Sequence, residues 1–231
     1  MKIRKRLAQS LHNLLPEQIY SILKKPIRFI LGPTCVHMLR EDLNDILPLK
    51  SGENTILDLN NAAIRLNSGQ KISLFKRFHA ELLDPQKEYD YIQVMRMSMK
   101  EDADEKWFKE NYSNDKDYDP KHLIMIYQEN IPVAAAGSWH TVWKKQNIGL
   151  IHNVGVHKNY RRLGLGRIIT TLALLRLKNR GFTQALLATE DYRIPAISLY
   201  LSLGFRPVFI NLFHKRRWEK ILNKTIQSNF P

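Results

Sequence analysis

Apolar and polar positions along this chain follow two different periods, and the change between them falls near residue 84. Before it, Leu7, Leu11, Leu14 and Leu15 recur at helical spacing until Pro16 interrupts them. A second apolar set, Ile19, Tyr20, Ile22 and Leu23, ends near Lys25-Pro26, and turn-like stretches at 50–54 (KSGEN) and 67–71 (NSGQK) divide the remainder. Residues 1–84 are therefore predicted as a mostly helical N-terminal extension, closed by the connector Asp84-Pro85-Gln86-Lys87-Glu88. Beyond it the pattern predicts a strand over Tyr91–Met99 and a short helix over Asp102–Tyr112. A hairpin of Leu123–Tyr127 and Ile131–Trp139 follows, then a strand over Ile148–Val156 interrupted at Gly155. Leu165, Ile168, Ile169, Leu172, Leu175 and Leu177 give an amphipathic helix ended by Asn179-Arg180-Gly181. A buried strand at Ala185–Thr189, a helix at Pro195–Leu203 and extended chain from Phe205 to Phe213 complete the order. That order describes a mixed sheet with helices on its faces, an α/β or α+β domain over residues 85–231.

Composition narrows the class without choosing a partner. A hydrophobic content of 44% over 231 residues supports a packed core, and no apolar run reaches the roughly 18–20 residues of a membrane span. The basic start Met1–Arg6 is not followed by a signal core, so the reading is an uncleaved, cytoplasmic chain. Cys35 is the single cysteine, which excludes an internal disulfide and a cysteine-based zinc site. It reads as a buried structural thiol, since a reactive one needs a lowered pKa and a neighbouring base. The net charge of +14 suits phosphate-bearing partners. It is concentrated in the first 28 residues and in Lys215, Arg216, Arg217, Lys220 and Lys224, while Glu101–Asp119 is acidic. Nucleic acid or an anionic membrane contacted through the basic N-terminal region stays open beside plain packing of a solvated basic helix.

The octapeptide YRRLGLGR, residues 160–167, sits between the strand ending at Val156 and the helix beginning near Gly164. A helix N-terminus offers unpaired backbone N–H groups and a favourable dipole for anions, and glycine lets a phosphate come close. The stretch is neither a dinucleotide fingerprint, because position 169 is Ile169, nor a Walker loop, because no Lys-Ser/Thr pair follows.

Its second half lies downstream. Arg161-Arg162-Leu163-Gly164-Leu165-Gly166 and, one helix and one strand later, Ala196-Ile197-Ser198-Leu199-Tyr200 through Gly204-Phe205 together resemble the paired motifs of the GNAT superfamily of acyl-CoA-dependent N-acyltransferases, Q/R-x-x-G-x-G/A and A-x-x-L-Y-x-x-x-G-F. The resemblance spans roughly residues 91–213 and implies a mixed, mostly antiparallel twisted sheet flanked by helices. It implies acetyl-CoA or another acyl-CoA as co-substrate, with no metal. Its pyrophosphate would be held by the loop of Arg161, Arg162, Leu163, Gly164, Leu165, Gly166 and Arg167, and its pantetheine arm by the splayed strand end at Val154, Gly155 and Val156.

The same resemblance implies acyl transfer to a primary amine by direct attack. Tyr200 would be the acid beside the departing thiolate, or a core tyrosine, and the Val154 amide would stabilise the oxyanion. Where many relatives place a glutamate this chain has Leu150 and His152, so His152 is the candidate base or else a structural histidine. His140 and Glu190 are second candidates. Many relatives carry Asn three residues before the second block; Arg193 stands here, as a contact to cofactor or substrate or as an ion-pair partner of Asp191 or Glu190. A non-catalytic acyl-CoA sensor is the alternative function. The acceptor is unread, a homodimer is one admissible assembly, and the loop 113–121 (SNDKDYDPK) is either an attractor for a cationic amine or a solvated loop.

Overall fold

The computed structural model describes residues 35–44, 49–50, 56–57, 63, 65–66, 68–74, 77–209 and 212–229. The two amphipathic segments expected between residues 7 and 25, with their basic charge, lie outside the described residues. Ten strands are described: β1 Cys35–Arg40, β2 Leu49–Lys50, β3 Ile56–Leu57, β4 Ile72–Ser73, β5 Phe78–Leu82, β6 Leu123–Gln128, β7 Ile131–Trp143, β8 Gln146–Val156, β9 Ala185–Glu190 and β10 Arg206–Val208. The helices are α1 Glu88–Ser98, α2 Glu105–Phe108, α3 Leu165–Asn179, α4 Ile194–Ser202 and α5 Leu212–Asn229. Eight strands form one sheet in the order β10-β1-β9-β8-β7-β6-β5-β4. Every pairing in it is antiparallel except β8 with β9. No helix among the described residues is long and apolar enough to cross a membrane.

The expected class is present, but its boundary at residue 84 is not. Among the described residues of the supposed helical extension, β1, β4 and β5 belong to the sheet itself, so 85–231 is not a separate domain. β1 lies between β9 and β10, antiparallel to both, with Cys35 opposite Glu190 and Met38 opposite both Leu187 and Pro207. Its Val36 and Met38 are fully buried, as a strand paired on both edges requires. Asp84 caps a short turn at Pro85–Lys87 that joins β5 to α1. Two further expectations change type. The stretch expected as a strand over Tyr91–Met99 is helix α1, which buries Tyr91, Ile92, Val94 and Met95, a spacing of one helical stripe. The extended C-terminal reading holds only for β10; residues 212–229 form α5, whose Trp218 and Ile221 are buried.

Two cores sandwich the sheet. α3, α4 and α5 bury Ile169, Leu172, Ile197, Tyr200 and Trp218 on one face. α1, α2 and the turn after it bury Tyr91, Met95, Phe108, Tyr112, Trp139 and Leu150 on the other. The β9–α4–β10 segment is fastened to β1 by Arg40. Its guanidinium donates to the Leu203 carbonyl at the end of α4, where the helix dipole favours a cation. Gly204, at φ 87°, makes that approach possible, since a Cβ there would stand 2.6 Å from Arg40 Nη1. The glycine of the second motif is thus explained by an arginine of the first strand.

Candidate active site

β8 and β9 pair in parallel only at Gly149–Ile151 with Ala185–Leu187; beyond those residues the strands part and a cleft opens through the sheet. Its lining is Cys35, Met99, Leu150, Ile151, His152, Asn153, Val154, Ala188, Thr189, Glu190, Arg193 and Tyr200, around a volume of about 60 Å³. A larger groove of about 700 Å³ runs along α1 and α2 past Tyr89, Arg96 and Glu105, and shares no residue with this cleft.

The wall of the cleft is shaped by a bulge in β8. Its register on β7 runs from Gly137 opposite His152 to Ala135 opposite Gly155, so β8 holds one residue too many. Asn153 absorbs it at φ 47°, a conformation that asparagine tolerates better than most residues. An extra residue exchanges the faces of all that follow. His152 therefore lies on the α1 side with Tyr112, whereas Val154, two positions on, packs on the α3 side. Gly155 matters for a different reason from the expected splay: a Cβ there would stand 2.5 Å from Ser98 Oγ and 2.8 Å from Met95 Cε, so it lets α1 lie close on β8.

The glycine loop lies just past the bulge. Gly164 at φ 78° is the N-cap of α3, and a Cβ on it would meet nothing within 4 Å, which leaves the space above the first turn open. Arg167 and Ile168 N–H groups close on the Gly164 carbonyl, and the preceding N–H groups of the first turn have no intrahelical acceptor. The three arginines divide. Arg161 donates to the Ser98 carbonyl at 3.0 Å, tying the loop to α1, and Arg167 donates to Ser202 Oγ of α4 at 2.6 Å. Arg162 is exposed, at φ 67°, and has no such partner among the described residues. This arrangement fits a phosphate group: unpaired amides, an open glycine and one uncommitted guanidinium.

Tyr200 and His152 reach the same cleft. Tyr200 projects from α4, is 7% exposed and stacks edge-on against Phe205, and burial pushes its phenol up to about 12. His152 is held down at about 4 by desolvation, so its imidazole is neutral at physiological pH. Its Nδ1 is 3.4 Å from the Tyr112 hydroxyl. Arg193 lines the cleft and pairs with Glu190 at 2.5 Å, which takes up one of the two partners expected for it. Asp191 pairs instead with Arg217 of α5. His140 stacks on Phe182 and does not line the cleft. In the acidic loop, Asp115 and Asp119 accept from the backbone N–H groups of Asp117 and Lys121, so both carboxylates serve local turns.

Asn153 is legible in the sequence only as the first residue of the strand end Asn153-Val154-Gly155-Val156. Cys35 and Tyr112 leave no local signal of a place at the site, because they enter from β1 and from the π-helical turn Lys109–Ser113.

A model of the Acetyltransferase (GNAT) family matches residues 89–205, just over half of the chain. The chain belongs to this family. Among curated proteins it is 35% identical over 68 residues to a mycothiol acetyltransferase of Thermomonospora curvata, a stretch that is 29% of this chain and 23% of that protein. It is 30% identical over 98 residues to the mycothiol acetyltransferase of Nocardia farcinica, 41% of this chain and 32% of that one. The chain thus spans about a quarter to a third of these relatives' own length. Of solved structures, a GCN5-related N-acetyltransferase from Sphaerobacter thermophilus superposes with a TM-score of 0.51 at 15% identity, over 75% of this chain and 48% of that one. A GNAT-family acetyltransferase from Colwellia psychrerythraea gives 0.51 at 13% identity over 75% and 52%, and both likenesses are likenesses of fold.

Proposed function

We propose that this protein transfers an acetyl group from acetyl-CoA to a primary amine by direct attack. The observation that carries the reading is an open first turn of α3 packed beside the end of β8 and α4, together with a cleft between β8 and β9 that has Tyr200 on one side and His152 on the other. The amides of residues 162–166, with the Arg162 side chain, receive the pyrophosphate, and the parted edge of β8 at Val154–Val156 receives the pantetheine amides. Arg161 and Arg167 hold the loop in place through α1 and α4.

The amine nitrogen attacks the thioester carbon, the carbon–sulfur bond breaks, and its electron pair leaves on sulfur. The Val154 N–H, on the bulged segment of β8, faces charge developing on the acyl oxygen. The proton lost by nitrogen passes to water, and Tyr200 donates a hydrogen bond to the departing thiolate. Glu190, Cys35 and Met99 line the approach on the α1 side, so the acceptor meets one carboxylate, already paired with Arg193, and otherwise uncharged groups. The name mycothiol acetyltransferase, carried by the relatives, agrees with a small-molecule acceptor. An acceptor screen with acetyl-CoA that follows free thiol release tests the reading. Thiol release dependent on an amine supports it; absence of saturable acetyl-CoA binding overturns it.

A further inference from the structure

Beneath the α1 side of the cleft, four side chains share one hydrogen-bond network. Asn153 Nδ2 donates to the Tyr112 hydroxyl oxygen. Tyr91 Oη lies 2.6 Å from the same atom, and His152 Nδ1 lies 3.4 Å from it. A phenolic oxygen has one proton to give and two lone pairs to receive with. If Tyr91 donates to Tyr112, both lone pairs are filled, by Tyr91 and Asn153, and the Tyr112 proton is left for His152 Nδ1. The neutral imidazole then carries its own proton on Nε2, and every donor in the network is used. In the reverse arrangement His152 Nδ1–H donates to Tyr112, Tyr112 donates to Tyr91, and among the described residues the fully buried Tyr91 hydroxyl then faces only the Asn153 amide, whose Nδ2 is itself a donor. Leaving a buried hydroxyl unmet biases the two tautomers by roughly ten- to a hundredfold. The second ring nitrogen is neither buried without a partner nor bonded to any described residue, so it opens on the cleft that His152 lines.

We propose that Tyr112 is a positioning residue that fixes His152 with its proton on Nε2, so that His152 meets the reacting centre as a hydrogen-bond donor rather than as the base. The proposal rests on the acetyl-transfer reading for its catalytic consequence alone. The Nε2–H adds a second donor, beside the Val154 amide, to the acyl oxygen as negative charge gathers there, and the amine's proton goes to water.

Two measurements on the full chain test it. In ¹⁵N-histidine-labelled protein, the long-range ¹⁵N–¹H correlations of His152, assigned by their loss in His152→Gln, report the tautomer without any substrate. The proton is expected on Nε2 in the wild type, and that preference is expected to disappear in Tyr112→Phe. A proton on Nδ1 in the wild type, the state produced by an Asn153 amide turned to present its oxygen, overturns the proposal. In thiol release from acetyl-CoA, His152→Gln keeps an N–H at the outer position and has no basic nitrogen. It should stay within about tenfold of wild-type kcat, while His152→Leu falls about a hundredfold or more. Equal loss in both assigns a base and overturns the donor role. If wild-type protein releases no thiol with any amine, the acetyl-transfer reading fails, and the tautomer measurement still decides the role of Tyr112.

Discussion

Replacing Tyr200 with phenylalanine separates two ways in which its hydroxyl could help. A thiol has a pKa of about 8.5, and burial holds the Tyr200 phenol at about 12. Complete proton transfer from this phenol to a thiolate is then uphill by roughly 3.5 units, or about 5 kcal/mol. Tyr200 is therefore expected to stabilise the leaving sulfur by hydrogen bonding while keeping its proton, which refines the acid role read from the sequence. A hydrogen bond to a charged partner contributes about 1.5–3 kcal/mol, so Tyr200→Phe should lower kcat by roughly 10- to 150-fold. The ring keeps its edge-on contact with Phe205, and the lost hydroxyl has no protein partner among the described residues, so folding should be unaffected. Steady-state thiol release at saturating acetyl-CoA measures kcat, and the KM for acetyl-CoA should not move. The wild-type rate should also show no alkaline decline from Tyr200 below about pH 11. A loss under threefold, or a loss above ten-thousandfold joined to an alkaline limb near pH 9, refutes this reasoning.

Other consequences follow from the same geometry. Gly204→Ala combines a left-handed φ, worth about 1–2 kcal/mol, with displacement of the buried Arg40 guanidinium from its carbonyl. A melting temperature at least about 5 °C lower is expected, whereas Gly69→Ala, with φ 80° and open space around it, should lose only about 1 kcal/mol; equal effects would remove Arg40 from the explanation. Arg162→Gln should raise the KM for acetyl-CoA about three- to tenfold with kcat unchanged, and the difference should shrink in high salt; Arg162 is not a phosphate contact if KM stays constant. Folded-state values near 4 for His37, His122 and His152 lie below the unfolded value of 6.5. The unfolded chain therefore binds more protons between those limits, and stability present above pH 6.5 is lost as pH falls toward 4, by up to about 1.4 kcal/mol per pH unit for each histidine. Denaturant midpoints at pH 7.5, 6 and 5 check this, and a flat profile contradicts it.

The second half of the molecule was legible because its signals are local. The α3 stripe, the β6–β7 hairpin and the two glycine motifs each lie within a few residues, and the fold keeps them where the pattern puts them. β1 is six residues long, and among the described residues its partners begin at residue 185, so no local period could announce it. The β-branched and aromatic residues of α1 favour a strand by local propensity, whereas Tyr91, Ile92, Val94 and Met95 recur as a helical stripe, and the packing follows the stripe. At the site, Tyr200 and the loop were visible as motifs. The network around His152 was not, because Tyr91, Tyr112 and Asn153 converge only when α1, the turn after α2 and the β8 bulge meet in space.

The insertion of β1 between β9 and β10 also sets the order in which the protein can be built. At synthesis rates of about 5–20 residues per second, the strand at Cys35–Arg40 leaves the ribosome several seconds or more before its partners at residues 185–208. Until then two strand edges stand unpaired, and the cleft lacks the wall that carries Cys35. Such distant pairing makes for slow closure. The nascent chain should be most vulnerable to aggregation and most dependent on chaperones in that interval, and the active site should form at its end.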